Sequence, residues 1–201
     1  MKTDKKRTLE KVLPYILIIG SAIGLICAFV ILYEKMELLA DPSYVPPCSL
    51  NPVISCGNVM ASAQSHIFGF PNPIIGLAAF PVVITVGMAM LAGAIFKRWF
   101  WLGLQAGTTF GVAFITWLAF QSLYRIGALC PFCIAVWSVT IPIFWYTTLY
   151  NLRQGHIKLP ARLQSVSGFM QRHHGDVLLV WFLILIGAIL QRFWYYWSTL
   201  I

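Results

Sequence analysis

Cys130-Pro131-Phe132-Cys133 carries the strongest chemical signal in this 201-residue sequence. Two thiols three residues apart stand where a polar connection turns into a long apolar run. A pair at that spacing can close a disulfide within one helical turn. A helix start also favours the thiolate, because free peptide N–H groups and the positive end of the macrodipole face it. Pro131 suits the first helical turn, where its missing N–H removes no helix bond. Upstream, Cys48 and Cys56 lie in the longest polar connection of the chain. Thiol–disulfide exchange needs a thiolate, a disulfide within its reach and a thiol that leaves. Two pairs on one face supply all three, with an outer pair meeting a protein partner and an inner pair nearer the lipid. Two static disulfides compete with this relay, and so does a four-cysteine zinc site. The wide spacing of Cys48 and Cys56 counts against zinc, whose ligands usually come in close-spaced pairs. Cys27, midway along the first apolar run, has the character of a small packing residue.

The elements that position these thiols follow from composition. The chain is 59% hydrophobic and 10% charged, with a mean hydropathy of +0.79. Soluble domains carry about 25% charged residues, so this chain is expected in the membrane. Its net charge of +8 does not point to nucleic acid, because the basic residues cluster at the ends of apolar runs, where they set orientation and meet anionic headgroups. Runs at 13–33, 73–95, 99–123, 129–150 and 177–197 are each long enough to cross the hydrocarbon core. The first outruns a signal-peptide core and has no small-residue cleavage site before Glu34, so it is a retained helix. The expected fold is an all-α integral membrane protein, a four-helix transmembrane bundle plus a fifth transmembrane helix. Its expected parts are a catalytic core over 12–150 with a lid loop at 34–72, a basic connection at 151–176, and the fifth helix within 177–201.

Charge orients these spans. Eleven of the fourteen Lys and Arg residues fall on one side: Lys2, Lys5, Lys6, Arg7 and Lys11, then Lys97 and Arg98, then Arg153, Lys158, Arg162 and Arg172. Lys35, Arg125 and Arg192 fall on the other. The positive-inside bias therefore predicts a cytoplasmic N-terminus and an extracytoplasmic C-terminus. All four paired cysteines then share the extracytoplasmic face, where disulfides persist. The 34–72 loop is much longer than an ordinary helix connection. With Pro42, Pro46, Pro47, Pro52 and Pro71 its first half is expected to be extended, and Asn58 to Phe68 predicts a short helix across the bundle mouth. A relay there needs an electron sink, and the sequence holds no dinucleotide fingerprint, P-loop or haem-spaced histidine pair. A lipid-borne quinone fits, with Trp137, one turn below Cys133, as a wall for a flat ring. An interfacial aromatic is the plainer reading of that tryptophan.

These residues resemble the vitamin K epoxide reductase family. The likeness runs from Cys48 through Phe80 and resumes at Cys130–Trp137. Cys48-Ser-Leu-Asn-Pro-Val-Ile-Ser-Cys56 matches the family's loop pair, Ser62 falls where the family carries a serine, and Phe68-Gly69 follows. Asn72-Pro-Ile-Ile-Gly76 is similar to the motif opening the second helix, and Cys130-Pro-Phe-Cys133 to the active-site pair. The resemblance implies that Cys48 receives electrons from a thioredoxin-like partner and that Cys56 exchanges with Cys130. Cys133 then faces the quinone, and Asn72 bonds a quinone carbonyl. Ser62, Phe68, Phe80 and Trp137 help to place lid and ring, with plain packing as the alternative for the first three. For Asn72 the alternative is a helix cap before Pro73. DsbB-type oxidases share the bulk function but carry the close-spaced pair in the first external loop, the reverse of the order here.

The resemblance also brings departures. Vertebrate members have a tyrosine where this chain has Trp137, which sets epoxide chemistry apart from quinone chemistry. Many prokaryotic relatives continue into a fused thioredoxin-like domain, whereas this sequence stops at Ile201, so the expected partner is a separate thioredoxin-fold protein. The expected function is membrane thiol–disulfide oxidoreduction feeding a quinone (menaquinone, ubiquinone or vitamin K), in support of disulfide formation in exported proteins. Vitamin K recycling is the nearest alternative, and a scaffold or transporter with structural disulfides is the alternative of another class. Apart from Arg192, the five apolar runs hold no charged side chain, which speaks against an ion-coupled carrier.

Overall fold

A backbone crossing hydrocarbon must satisfy its own polar groups, and an apolar run does so as a helix. The computed structural model describes residues 2–158 and 160–198. Residues 199–201, the end of the expected fifth-helix segment, lie outside the described residues. So do the side chains of residues 1–8 and 161–163, among them those of Lys2, Lys5, Lys6, Arg7 and Arg162. Among the described residues ten short and long helical elements follow one another: α1 Lys2–Ala40, α2 Cys56–Ala61, a 3-10 turn Ala63–His66, α3 Pro73–Leu91, α4 Arg98–Gln121, a π turn Ser122–Ile126, α5 Pro131–Arg153, α6 Ala161–Arg172, α7 His174–Arg192 and α8 Trp194–Trp197. Five helical stretches among them are long and apolar enough to cross a membrane.

Several boundaries differ from expectation. Helix α3 ends at Leu91 and α7 at Arg192, short of the runs 73–95 and 177–197. The lid helix expected over 58–68 is instead α2 Cys56–Ala61 followed by the 3-10 turn Ala63–His66. Helix α1 runs on to Ala40, so residues 34–40 of the expected loop are helical and Glu34 and Lys35 are buried in the bundle's end. Hydropathy stops at Tyr33 because of these two charges, yet both find bonding partners in the lid. The 151–176 connection contains α6.

Helix α1 packs against α3 and α5, and α4 packs against α5. One core cluster (Leu13, Leu17, Val86, Trp101, Ile143 and neighbours) joins all four. A second, with Val53, Leu129, Trp137 and Phe193, lies behind the cysteine-bearing segments. Glycine lets α1 and α3 approach. A Cβ on Gly24 would stand 2.4 Å from Cζ of Phe80, so the missing side chain is the notch that seats that ring. At the opposite end of the bundle, fully buried Asn151 donates to Trp101 O (3.3 Å) and Gln105 Oε1 (3.0 Å), fastening α5 to α4.

Candidate redox site

The lid is folded locally before it meets the bundle. Asn51 Oδ1 accepts from the N–H groups of Val53 (3.0 Å) and Ile54 (2.7 Å), and Leu50 N–H donates to Ile54 O at 2.8 Å. This turn presents Val53–Ser55 edge-on to the segment before α5. Leu129 N–H donates to Val53 O (2.7 Å), and Ser55 N–H donates to Leu129 O (2.9 Å). The result is a single parallel bridge, Ile54 to Leu129. Ser55 then caps α2, its hydroxyl accepting from Asn58 N–H at 3.3 Å. Cys56 is the first residue of α2, and Cys130 is the cap of α5. The bridge therefore sets the register of both, and their sulfurs lie 3.3 Å apart in a buried contact.

Cys56 is disulfide-bonded to Cys48, while Cys130 and Cys133 are free thiols. The Cys133 thiol donates to the Cys130 sulfur and holds that thiol below the ordinary thiol range. Burial opposes this, and the N–H groups of Cys133 and Phe132 add to the lowering. Those donors are the unpaired peptide groups of a helix's first turn, as the sequence expectation required. A disulfide sulfur and a stabilised thiol in contact are the two reactants of exchange.

Behind Cys133 opens a cavity of about 580 Å³, walled by α1, α3, α4, α5 and the lid. Of the residues singled out in the sequence, Ser62, Asn72, Phe80, Cys133 and Trp137 line it together. Phe68 does not. It is half exposed, stacks on Phe70 and meets at a tilt Phe114, whose ring is a wall of the cavity. Asn72 makes no capping bond with its side chain. Instead Nδ2 donates to Gln64 O at 2.7 Å, which ties the start of α3 to the 3-10 turn. Its Oδ1 is buried with no hydrogen-bond partner, although an unpaired buried acceptor costs about 1–3 kcal/mol. Ser62 closes α2, its hydroxyl donating to Val59 O at 2.7 Å.

Sequence reasoning missed the latch that holds this lid. Lys35 Nζ donates to Met60 O and, at 3.2 Å, to Ser65 Oγ. Ser65 O in turn accepts from Asn72 N–H at 2.9 Å. Glu34 accepts from the Tyr44 hydroxyl at 2.8 Å, a bond that pushes the phenol up to about 12. The only signal for the pair was two adjacent charges ending an apolar run, which hydropathy treats as the start of a loop.

No sequence among curated proteins matches this chain. The model of the vitamin K epoxide reductase family matches residues 15–148, more than half of its length. With thiols, disulfide and cavity all inside that span, the chain belongs to the vitamin K epoxide reductase family, membrane oxidoreductases that link thiol–disulfide chemistry to quinones.

Proposed function

We propose that this protein oxidises the dithiol of a thioredoxin-fold partner and passes the two electrons through Cys48/Cys56 and Cys130/Cys133 to a quinone, supporting disulfide formation in exported proteins. The contact of the Cys56 and Cys130 sulfurs at 3.3 Å carries this reading. A partner thiolate attacks Cys48, breaking the Cys48–Cys56 bond and freeing Cys56 as thiolate. The partner's second thiol resolves the mixed disulfide and leaves Cys48 reduced. Cys56 thiolate attacks Cys130 of an oxidised Cys130–Cys133 pair, and Cys133 departs. Cys48 thiolate then attacks Cys56, reforming the Cys48–Cys56 bond, with Cys130 as leaving group. The stabilisation of the Cys130 thiolate makes that departure easier. The pairing seen here, loop pair oxidised and Cys130/Cys133 reduced, corresponds to the end of that exchange.

The cavity fits a quinone. Its volume lies in the range of small-molecule sites, its lining is mostly apolar, and Asn72 Oδ1, an acceptor left without a donor, is matched by the hydroxyl of the reduced quinone. Asn72 also keeps one N–H for a carbonyl oxygen, while Phe80 and Trp137 bound the space for a flat ring. A bound quinone supplies the acceptor for two electrons and two protons as the Cys130–Cys133 bond reforms. The Lys and Arg bias supports an extracytoplasmic site for this chemistry. Trapping tests the route. In a Cys56→Ser variant Cys48 is a lone thiol that can only attack the disulfide of the oxidised partner, displacing one of its sulfurs as thiolate. A mixed disulfide between Cys48 and a thioredoxin-fold protein is therefore expected on acid quenching, and Cys133→Ser is expected to abolish quinone reduction. Full turnover by Cys133→Ser would exclude the relay.

A further inference from the structure

We infer that the end of the fifth transmembrane helix positions the redox segment: Arg192 and Phe193 fix the stretch Leu123–Cys130 so that Cys130 meets Cys56. This rests on the relay proposed above. Helix α7 buries no residue of its own, yet its end reaches directly behind the cysteines. Arg192 Nε donates to Leu123 O at 2.9 Å, with the remainder of the side chain exposed. Leu123 lies in the π turn that ends α4, where carbonyls lack intrahelical donors, and a cation at a helix C-terminus is also favoured by the dipole. The turn closes through Gly127, whose φ of 71° suits glycine and whose N–H donates to Ser122 O at 3.0 Å. The Ser122 hydroxyl donates to Ala128 O. Leu129, the next residue, makes both bonds of the bridge to Val53 and Ser55, and Cys130 follows.

Phe193 secures the same stretch from the apolar side. It is fully buried and packs in one cluster with Val53, Leu123, Leu129 and Trp137. Snorkelling alone would send the Arg192 head to the interface and leave no directed bond. Here its Nε bonds the backbone six residues before Leu129 makes its own bridge, so the anchor and the bridge hold the two ends of one short segment. Arg192 is accordingly a positioning residue that acts through the backbone and touches no reacting atom.

Cross-linking in the full-length membrane protein tests this without quinone. In a Cys27→Ala, Cys48→Ala, Cys133→Ala background, Cys56 and Cys130 are the sole thiols. Diamide takes two electrons and two protons as they join. Adding Arg192→Met is expected to slow that closure roughly ten-fold, since small misplacements of reacting groups carry large rate penalties. Arg192→Lys, which keeps a donor, is expected to restore most of the rate. As control, closure of Cys48–Cys56 in a Cys27→Ala, Cys130→Ala, Cys133→Ala background should not respond to Arg192→Met. Equal Cys56–Cys130 rates with and without Arg192 would overturn this inference alone. A parallel loss in the control would overturn it in favour of general destabilisation. A background that never forms the Cys56–Cys130 bond would remove the relay and this inference together.

Discussion

At the level of single residues, the site separates two tasks between adjacent thiols. Cys130 receives three donors, the Cys133 thiol and two peptide N–H groups, all of which favour its charged form. Its thiolate therefore survives to lower pH than an ordinary thiol's, and exchange at Cys130 should persist there too. Cys133 is the strongest of the three donors, so removing it has a defined sign. In Cys133→Ala the Cys130 thiol titrates higher, and its attack on the Cys48–Cys56 disulfide, read as alkylation of the released Cys48, begins only at higher pH. Cys133→Ser keeps a hydroxyl donor and should hold the inflection below that of Cys133→Ala. Coincident profiles would show that Cys133 does not tune its neighbour. Asn72 gives a complementary split. Its side chain closes the start of α3 through Gln64 O and offers its other groups to the cavity. Loss of one ligand hydrogen bond is worth about 1–1.5 kcal/mol. Asn72→Ala should therefore raise KM for the quinone roughly five- to ten-fold while leaving the closure of Cys56 onto Cys130 unaltered.

Elements bring these residues together through contacts of very different legibility. Helix α3 meets α1 where Gly24 leaves room for Phe80. A methyl group there overlaps the ring, and overpacking of this kind costs about 1–3 kcal/mol. Gly24→Ala should lower thermal stability by that order and shift Phe80 into the cavity, weakening quinone binding. Gly24→Ala combined with Phe80→Leu should recover stability, because the smaller side chain vacates the notch. The lid depends on Lys35 in a similar way. Lys35→Met keeps the length of the side chain but removes the bonds to Met60 O and Ser65. Protease nicking between Ser62 and Phe70 should then accelerate, with an unchanged rate arguing that α2 alone holds the lid. The spans and the helix starting at Pro131 were legible because hydropathy and proline position are local signals, whereas the helix expected over 58–68 is divided into α2 Cys56–Ala61 and the 3-10 turn Ala63–His66. The gathering of Ser62, Asn72, Phe80, Cys133 and Trp137 was reachable only through family likeness. The bridge between Ile54 and Leu129 was invisible, since it is a main-chain contact between segments 75 residues apart with no side-chain code. Lys35 was misassigned for a related reason: a buried lysine bonded to a carbonyl leaves the same composition as an exposed one.

The whole molecule adds a vectorial requirement. An odd number of spans, as the five candidate helices give, would put the two termini on opposite sides, and the cysteines of the lid and of the start of α5 lie together at one end of the bundle. A disulfide relay facing the cytoplasm would work against a reducing thiol pool, whereas on the outer face its product disulfides last. The Lys and Arg distribution predicts the outer face, with α6 and the 97–98 turn inside. Membrane-impermeant maleimide provides the readout in intact cells. Cys48 is half-buried in the lid, and in a background lacking Cys27, Cys56, Cys130 and Cys133 it is a free thiol that should be labelled from outside. In a wholly cysteine-free background, Ser167→Cys in α6 should be labelled only after the membrane is opened. Because three candidate spans, α3, α4 and α5, separate the lid from α6, the two are expected on opposite sides. Labelling of both positions from outside would break the five-span topology itself. Exchange of the two results would keep the topology but turn the relay toward the cytoplasm, where its proposed partner and its proposed task could not be those of an exported-protein oxidase.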